Sequence, residues 1–273
     1  LKIIIDQVGG IDKIKAMGIG APNGNYYNGT IEFAPNLEWG HDGVVPLADM
    51  FSKALGIPVA LTNDANAAAI GEMTYGVARG MKNFIVITLG TGVGSGIVVN
   101  GQLVYGCDGF AGELGHVIVK ENGRSCGCGR NGCLEAYCSA TGVARTAREI
   151  LNTTDEPSLL RDLNPDEITS YDVSMAAEKG DKLALGVYDF TGKLLGEACA
   201  NFAAFSSPEA FIFFGGLTKA GDLIMNPIKK AYDERVLNIF KGKAKFLISG
   251  LEGSSAAVLG ASAVGWDVTE SAK

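Results

Sequence analysis

The most restrictive feature of the sequence is a cluster of cysteines that follows one of its two histidines. His116, Cys126, Cys128 and Cys133 have the spacing H-x9-C-x-C-x4-C. One imidazole and three thiolates form a complete ligand set for a tetrahedral zinc ion, with no position left for a reactive water. We therefore predict a structural zinc site that holds together a turn-rich segment with few apolar residues. The alternative is that the cysteines are unrelated free thiols.

Two carboxylates flank these metal-binding residues, Glu113 on one side and Glu135 on the other. A metal ion bound between them would fix their separation. A site that binds a polyol needs carboxylates held at a fixed distance, because each must meet a particular hydroxyl group. The segment therefore predicts a carbohydrate-binding surface as well as a metal centre.

Composition and charge exclude several other functions. The net charge is −7, and no run rich in Lys or Arg occurs, which disfavours nucleic-acid binding and a polybasic membrane patch. No apolar run is long enough to span a bilayer, and the first residues do not resemble a secretory signal. The remaining cysteines, Cys107, Cys138 and Cys199, are scattered. This usage is typical of a reducing compartment, so we expect a cytoplasmic protein.

Strands and helices are predicted to alternate along the chain, which indicates an α/β fold. The predicted strands are 14–19, 59–62, 84–89, 97–99, 210–214 and 244–248. The predicted helices are 1–8, 47–55, 65–73, 140–151, 182–205, 228–240 and 254–266. We expect Pro227 in the first turn of its helix. We also expect the polar region 152–171 to be irregular, with short helical turns.

Asp64 is the candidate general base. It follows a short buried strand and precedes an Ala-rich helix, and ligands of α/β sheets gather at the carboxyl ends of strands. Phosphoryl transfer needs a carboxylate that accepts a hydroxyl proton, together with a phosphate cradle and a metal-bound nucleotide. The alternative is that Asp64 simply caps the helix.

Glycine-rich turns and asparagines supply the other candidate binding residues. The turn 90–96 lies between two strands, where its backbone N–H groups could cradle an anion. Gly215 and Gly216 form a second turn, between a strand and a helix. Asn23 and Asn36 lie in a polar segment, and their amides suit sugar hydroxyls because each offers a donor and an acceptor. Ordinary turn chemistry is the alternative for either asparagine.

Several of these segments together resemble one known family. The segments are T-N-D-A-N-A-A at 62–68, L-G-T-G-V-G-S-G at 89–96, G-E-L-G-H at 112–116, C-G-C-G-R-N-G-C-L-E at 126–135 and F-G-G at 214–216. Their order and spacing resemble those of the ROK family of sugar kinases and repressors, over nearly the whole chain. The resemblance is specific because the cysteine signature coincides with the E-x-x-H element.

The resemblance implies a fold of two lobes around a cleft, built from actin-like, ribonuclease-H-like α/β layers with a structural zinc site. Residues 1–80 would form a smaller amino-terminal lobe. Residues 81–253 would form a larger lobe that contains the zinc-binding segment. The carboxyl-terminal helix 254–266 would return to the first lobe.

The resemblance also implies a role for each candidate residue. Asp64 would deprotonate the 6-hydroxyl of a hexose. The other sugar-binding residues would be Asn63, Asn23, Gly24, Asn36, Glu113, His116 and Glu135. The nucleotide-binding residues would be Gly90, Thr91, Gly92, Gly215 and Gly216. His116 would use one ring nitrogen for zinc and the other for the sugar, and the cofactors would be ATP, Mg²⁺ and structural Zn²⁺.

The function implied is ATP-dependent phosphorylation of a hexose, most simply glucose, with other hexoses and N-acetylhexosamines as alternatives. Members of this family begin with a D-x-G-G-T loop that cradles phosphates and helps to hold magnesium. No such element occurs in this sequence, and the resemblance implies that the sequence starts after it, within the helix that follows. A sugar-sensing repressor with a preceding helix-turn-helix is one alternative, and a zinc-stabilised sugar-binding protein without activity is another. A homodimer or homotetramer is expected from the family.

Overall fold

The structure, a computed structural model, describes residues 1–34, 37–40, 43–251 and 255–271. The chain forms two compact units. The first comprises Leu1–Lys82, Gly96–Gly112 and Ser249–Lys273, and the second comprises Asn83–Ser95 and Glu113–Ile248. In the described part of the chain, no helix combines the length and the apolar character needed to cross a membrane.

Helices and strands alternate in both units, which confirms the α/β class. The helices are α1 Lys2–Val8, α2 Leu47–Leu55, α3 Asp64–Thr74, α4 Glu135–Cys138, α5 Ala140–Thr153, α6 Ser170–Glu178, α7 Lys182–Ser206, α8 Asp222–Arg235 and α9 Ser255–Ser271. The strands are β1 Met17–Gly20, β2 Gly24–Asn25, β3 Thr30–Glu32, β4 Val44–Val45, β5 Val59–Thr62, β6 Phe84–Leu89, β7 Val93–Val99, β8 Gln102–Leu103, β9 Ala210–Phe214 and β10 Lys245–Ile248.

The first unit positions the end of strand β5. Strand β1 pairs with β5 in parallel, with Met17 opposite Val59, and β2, β3 and β4 form an antiparallel sheet. Helix α9 packs against both α3 and β1. Helix α3 is rich in alanine, so it has little side-chain bulk to keep α9 at a distance. Ala60, Ile70 and Val264 are buried together in this region.

The second unit is built on a parallel ladder in which β9 lies between β10 and β6. All five residues of β9 except Phe214 are buried, as expected for a strand in a parallel sheet covered on both faces. The long helix α7 packs along α8. Asp181 caps α7 by accepting a hydrogen bond from the Ala184 N–H.

The prediction for Pro227 is wrong. The structure begins helix α8 at Asp222 and ends it at Arg235, so Pro227 lies inside the helix and the helix stops before Phe240. Proline removes an intrahelical donor, so it is usually excluded from such a position. Here it packs against Gly192 of α7, where a side chain would come within 2.5 Å of the Pro227 Cβ. Packing between two helices has therefore overridden the local preference.

The region 152–171 contains the expected short helical turns, Leu159–Asp162 and Pro165–Glu167. Helix α6 follows and was not predicted. It begins with a capping box in which Thr169 and Asp172 bond reciprocally to each other's backbone N–H. The pattern T-x-x-D was present in the sequence and is a readable start signal.

Candidate metal centre and active site

The four residues of the predicted metal site converge in the second unit. The ligand atoms of His116, Cys126, Cys128 and Cys133 all lie within 4.8 Å of one another. The Nδ1 of His116 is 3.6 Å from the Cys126 Sγ, and the Cys128 and Cys133 sulfurs are also 3.6 Å apart. A tetrahedral zinc ion with bonds of about 2.3 Å to sulfur and about 2.0–2.1 Å to nitrogen would place its ligand atoms about 3.6–3.8 Å apart. The cluster is therefore compatible with zinc, and the sulfurs are too far apart for a disulfide.

Tight turns and isolated bridges fold the cysteine segment. The Cys126 N–H donates to the Arg130 carbonyl at 2.9 Å, and single β-bridges join Ile118 to Cys133 and Ser125 to Asn131. Cys133 is fully buried, whereas Cys128 is exposed. The segment has few apolar side chains of its own, so a bound metal would replace a hydrophobic core as the element that holds it.

Arg124 connects this segment to the helices behind it and was not singled out from the sequence. Its side chain is only 8% exposed, and its Nη1 donates to the carbonyls of Ala136 and Gly142. The guanidinium carbon lies 4.5 Å from the centre of the Tyr137 ring. Burial alone would raise the pKa of Glu149, but the hydrogen bond and charge of Arg124, with a smaller effect of Arg145, lower it below its ordinary value. A single arginine among cysteines gives no sequence signal of such a role.

The thiols of Cys126 and Cys128 differ in acidity. Burial raises the pKa of Cys126 to about 12. Burial also acts to raise the pKa of Cys128, but hydrogen bonds from the Arg130 backbone and from the neighbouring thiols outweigh it and lower that pKa below its ordinary value. Since metal binds the thiolate form, binding must remove a proton from Cys126.

His116 presents its two ring nitrogens to different groups. The Nδ1 faces the thiols, while the Nε2 lies 4.0 Å from an oxygen of Glu113. Both residues are placed by the short helical turn Leu114–His116, which Glu113 immediately precedes. The middle residue of that turn, Gly115, lies so close to strand β7 that a Cβ would be 1.9 Å from the Val93 carbonyl oxygen. Only glycine allows this turn to approach the strand so closely.

Glu135 lies at the first residue of α4 and is half-buried. Its Oε1 is 3.5 Å from the Cys126 Sγ. Its Oε2 accepts a hydrogen bond of 3.0 Å from the Val93 N–H, 42 residues away in the sequence. The carboxylate predicted to bind sugar therefore also contacts the glycine-rich turn.

The turn between β6 and β7 is fixed by one hydrogen bond within the turn and by two hydrogen bonds from the start of helix α5. The Gly90 N–H donates to the Gly92 carbonyl at 3.0 Å, and the Gly90 carbonyl accepts from the Ala140 N–H at 2.8 Å. The Thr141 hydroxyl donates to the Thr91 carbonyl at 3.1 Å. The amide of Gly90 is thus used within the turn, and the start of helix α5 fixes the turn. Thr141 had no sequence signal for this role.

The second glycine turn follows β9. Gly215 has a φ of 114° and begins a short helix that runs from Gly216 to Ala220. A Cβ at Gly215 would be 2.4 Å from the Leu89 carbonyl oxygen at the end of β6. In contrast, a Cβ at Gly216 would meet nothing within 4 Å. The backbone at Gly216 is therefore open to a close approach by another molecule.

Asp64 and Asn63 lie in the first unit, at the junction of β5 and α3. The cap of α3 is Asn63, and Asp64 is the first helical residue, so the alternative that Asp64 is the cap is wrong. The Ala65 N–H donates to Oδ1 of both side chains at 2.8 Å. One carboxylate oxygen of Asp64 is thus held by the helix, while this contact leaves Oδ2 free to act.

The other predicted sugar-binding residues of the first unit make contacts within the protein or lie outside the described residues. Asn23 donates both amide hydrogens, to the carbonyls of Glu32 and Phe33 at 2.9 and 3.1 Å, so its side chain is tied to the end of strand β3. Gly24 lies in β2, where a Cβ would be 2.4 Å from the Thr62 carbonyl oxygen. Asn36 lies outside the described residues.

A carboxylate at a strand end, two glycine turns and a Cys/His segment on an α/β scaffold define a kinase-type protein of the actin-like ATPase fold. The model of the ROK family matches residues 2–267. The chain belongs to the ROK family.

Relatives of two kinds match most of the chain. A glucokinase of Halalkalibacterium halodurans is 41% identical over 257 residues, which are 93% of this chain and 76% of that protein. A xylose repressor of Bacillus spizizenii is 30% identical over 250 residues, 91% of this chain and 60% of the repressor. The crystal structure of a ROK family glucokinase from Streptomyces griseus, in complex with glucose and AMPPNP, is similar with a TM-score of 0.82 and 35% identity. It covers 97% of this chain and 87% of that one.

Proposed function

We propose that the protein is an ATP-dependent kinase that phosphorylates the 6-hydroxyl of a hexose, with glucose as the first candidate. The similarity to glucokinases at 41 and 37% identity supports this activity, as does a similar structure that holds glucose and AMPPNP. The observation that carries the proposal is the geometry of Asp64, whose carboxylate is fixed by one oxygen at the end of a strand. This is the arrangement that a general base for a hydroxyl proton needs.

In this proposal Asp64 takes the 6-hydroxyl proton on Oδ2 while the sugar oxygen attacks the γ-phosphorus of ATP. The bond from that phosphorus to the β,γ-bridging oxygen breaks, and ADP leaves. Asn63 keeps its amide oxygen on the Ala65 N–H, so its amide hydrogens are the groups that bind a sugar hydroxyl. Mg²⁺ bound to ATP would neutralise the negative charge that develops on the phosphates.

The remaining candidate residues fall into a group that binds the sugar and a group that binds the nucleotide. Glu113, His116 and Glu135 bind ring hydroxyls, since carboxylates accept from hydroxyls and the Nε2 of His116 faces away from the thiols. Asn23 and Gly24 line the sugar side by shape more than by hydrogen bonds, and Asn36 is proposed as a sugar-binding residue on the family resemblance alone. The nucleotide is bound by the two glycine turns, at Gly90, Thr91, Gly92, Gly215 and Gly216.

A zinc ion bound by His116, Cys126, Cys128 and Cys133 has a structural role in this proposal. Four protein ligands fill its tetrahedron, so it has no open position for substrate. Its contribution is to fix His116, and through the short turn Glu113, in the geometry that meets the sugar. The donor set and the ligand spacing of about 3.6 Å support zinc.

An assay of ADP release tests the activity directly. With ATP and Mg²⁺, the protein should release ADP in the presence of glucose or another hexose, including mannose, fructose, allose and N-acetylhexosamines. The variant Asp64→Asn should still bind the hexose but lose about 10²–10⁴-fold in kcat. Asp49→Asn is the matched control, because Asp49 is an exposed residue of α2 that pairs with Lys53. A near-normal rate for Asp64→Asn would remove Asp64 from the role of base.

A sugar-sensing repressor is the second candidate, and the match to xylose repressors over 91% of the chain favours it. A sensor needs the sugar-binding residues but neither a base nor a phosphate-binding turn. Hexose binding measured by calorimetry, with no ADP release for any sugar of the panel, would support the sensor. On the family resemblance we also propose a homodimer or homotetramer, which light scattering in solution would test.

A further inference from the structure

The second unit contains a direct link between the metal-binding segment and the glycine-rich turn. The Glu135 carboxylate forms it, with Oε1 at 3.5 Å from the Cys126 Sγ and Oε2 at 3.0 Å from the Val93 nitrogen. The role of sugar ligand accounts for neither contact. We propose that Glu135 is a positioning residue that holds the turn Gly90–Val93 in place, so that the metal-binding segment and the nucleotide-binding turn act as one structural element.

The first support for this proposal is the burial of Val93, whose N–H donates the hydrogen bond to Glu135. Val93 is only 4% exposed, and a buried backbone donor without a partner costs free energy comparable to a lost hydrogen bond. An ionised acceptor makes this bond stronger than a neutral one. Val93 is the first residue of β7, so the bond fixes the point at which the turn becomes a strand.

The second support is the close approach of the turn to the carboxylate. An ideal Cβ on Gly92 would lie 2.5 Å from the Glu135 Oε2 and 3.3 Å from its Cδ. Gly92 does not have a positive φ, so its backbone conformation does not require glycine. A side chain at this position would instead displace the Glu135 carboxylate from the Val93 N–H.

The third support is that two residues shortly after Glu135 also bond to the glycine-rich turn. Glu135 is followed after four residues by Ala140, whose N–H donates to the Gly90 carbonyl at 2.8 Å. The next residue, Thr141, donates its hydroxyl to the Thr91 carbonyl. Three successive contacts thus fix Gly90, Thr91 and Val93 to the stretch that follows the last metal ligand, Cys133.

The proposal rests on the proposed function only in its claim that the turn binds nucleotide. Its structural part is tested without ATP or sugar. Hydrogen exchange of the Val93 amide is measured by NMR in the metal-loaded protein. Glu135→Ala should speed this exchange roughly 10- to 100-fold, the factor that corresponds to losing a hydrogen bond to a charged group. Glu135→Gln keeps an oxygen that can accept, so it should change the exchange only a few-fold.

Two further variants guard against misfolding and unspecific effects. Gly92→Ala moves the carboxylate away without removing it, so it should also speed Val93 exchange. Glu121→Ala removes an exposed carboxylate from the same segment and should leave Val93 exchange unchanged. If Glu135→Ala unfolds the protein, Gly92→Ala and Glu135→Gln still decide the question.

The functional part is tested by binding of AMPPNP with Mg²⁺ in the absence of hexose. Glu135→Ala should weaken nucleotide binding about tenfold or more, whereas Glu135→Gln should weaken hexose binding and spare the nucleotide. A residue that only binds sugar would give a different result, with both variants weakening hexose alone and Val93 exchange remaining at the wild-type rate. That result would overturn the proposal. A chain that releases no ADP with any hexose would refute the kinase activity, and the exchange of Val93 would still report on the link.

Discussion

Replacing Gly115 with alanine tests how closely the turn Leu114–His116 must approach strand β7. The new Cβ would lie 1.9 Å from the Val93 carbonyl oxygen and 2.9 Å from its carbon. Even a close carbon–oxygen contact is about 3.3 Å, so the two backbones must separate by more than about 1 Å. Both obstructing atoms belong to the backbone, and no side-chain rotation can relieve the overlap.

The expected cost has two parts. Overpacking of this kind destabilises a protein by about 1–3 kcal/mol, which corresponds to a fall in Tm of about 2–12 °C for a protein of this size. The turn carries His116 and follows Glu113, so a shift of about 1 Å at these residues should lower kcat/KM for the hexose by about 10²-fold. Calorimetry and the ADP-release assay measure the two parts separately.

Gly127→Ala is the matched control. Gly127 lies between Cys126 and Cys128 in the same segment, and a Cβ there would meet nothing within 4 Å. Its φ is not positive, so alanine should be accepted without strain. If Gly115→Ala and Gly127→Ala had the same Tm and the same kcat/KM, the reasoning about close approach would be refuted.

Other predictions concern the metal cluster. Cys128→Ser should lose bound zinc and hexose affinity together, because the metal fixes His116; metal analysis that found one zinc per chain in this variant would contradict the ligand assignment. The apparent zinc affinity should fall as the pH falls, since Cys126, with its pKa raised to about 12, is neutral before binding and ionised afterwards. Each proton displaced gives about a tenfold loss per pH unit. Competition with a chelator at pH 6, 7 and 8 measures this slope, and a flat profile would show that no thiol loses a proton.

The Cys/His cluster and the α3 junction could be predicted from the sequence because their signals are local. The four residues of the cluster lie within 18 positions, and their convergence follows from the Cys and His spacing. The pair Asn63 and Asp64 follows a short apolar run and precedes an alanine-rich one, which is a typical strand-to-helix pattern. In both cases the residues that matter are neighbours in the sequence, so periodicity and spacing are sufficient.

The errors and omissions depend on contacts that are distant in the sequence. Proline favours the first turn of a helix, but Pro227 lies inside α8, and this site depends on Gly192, 35 residues earlier in the chain. Arg124 resembles an ordinary surface charge until its contacts with Ala136 and Gly142 are seen. The bond from Val93 to Glu135 spans 42 residues. No local pattern encodes such pairs.

The four residues of the Cys/His cluster are unevenly buried. Cys133 is fully buried, whereas Cys128 is exposed to solvent. An oxidant or a competing chelator arriving from solution would therefore meet Cys128 first, while Cys133 would stay anchored. A bound metal would therefore lose its bond to Cys128 before its bond to Cys133, and the buried Cys133 would remain available for the metal to bind again.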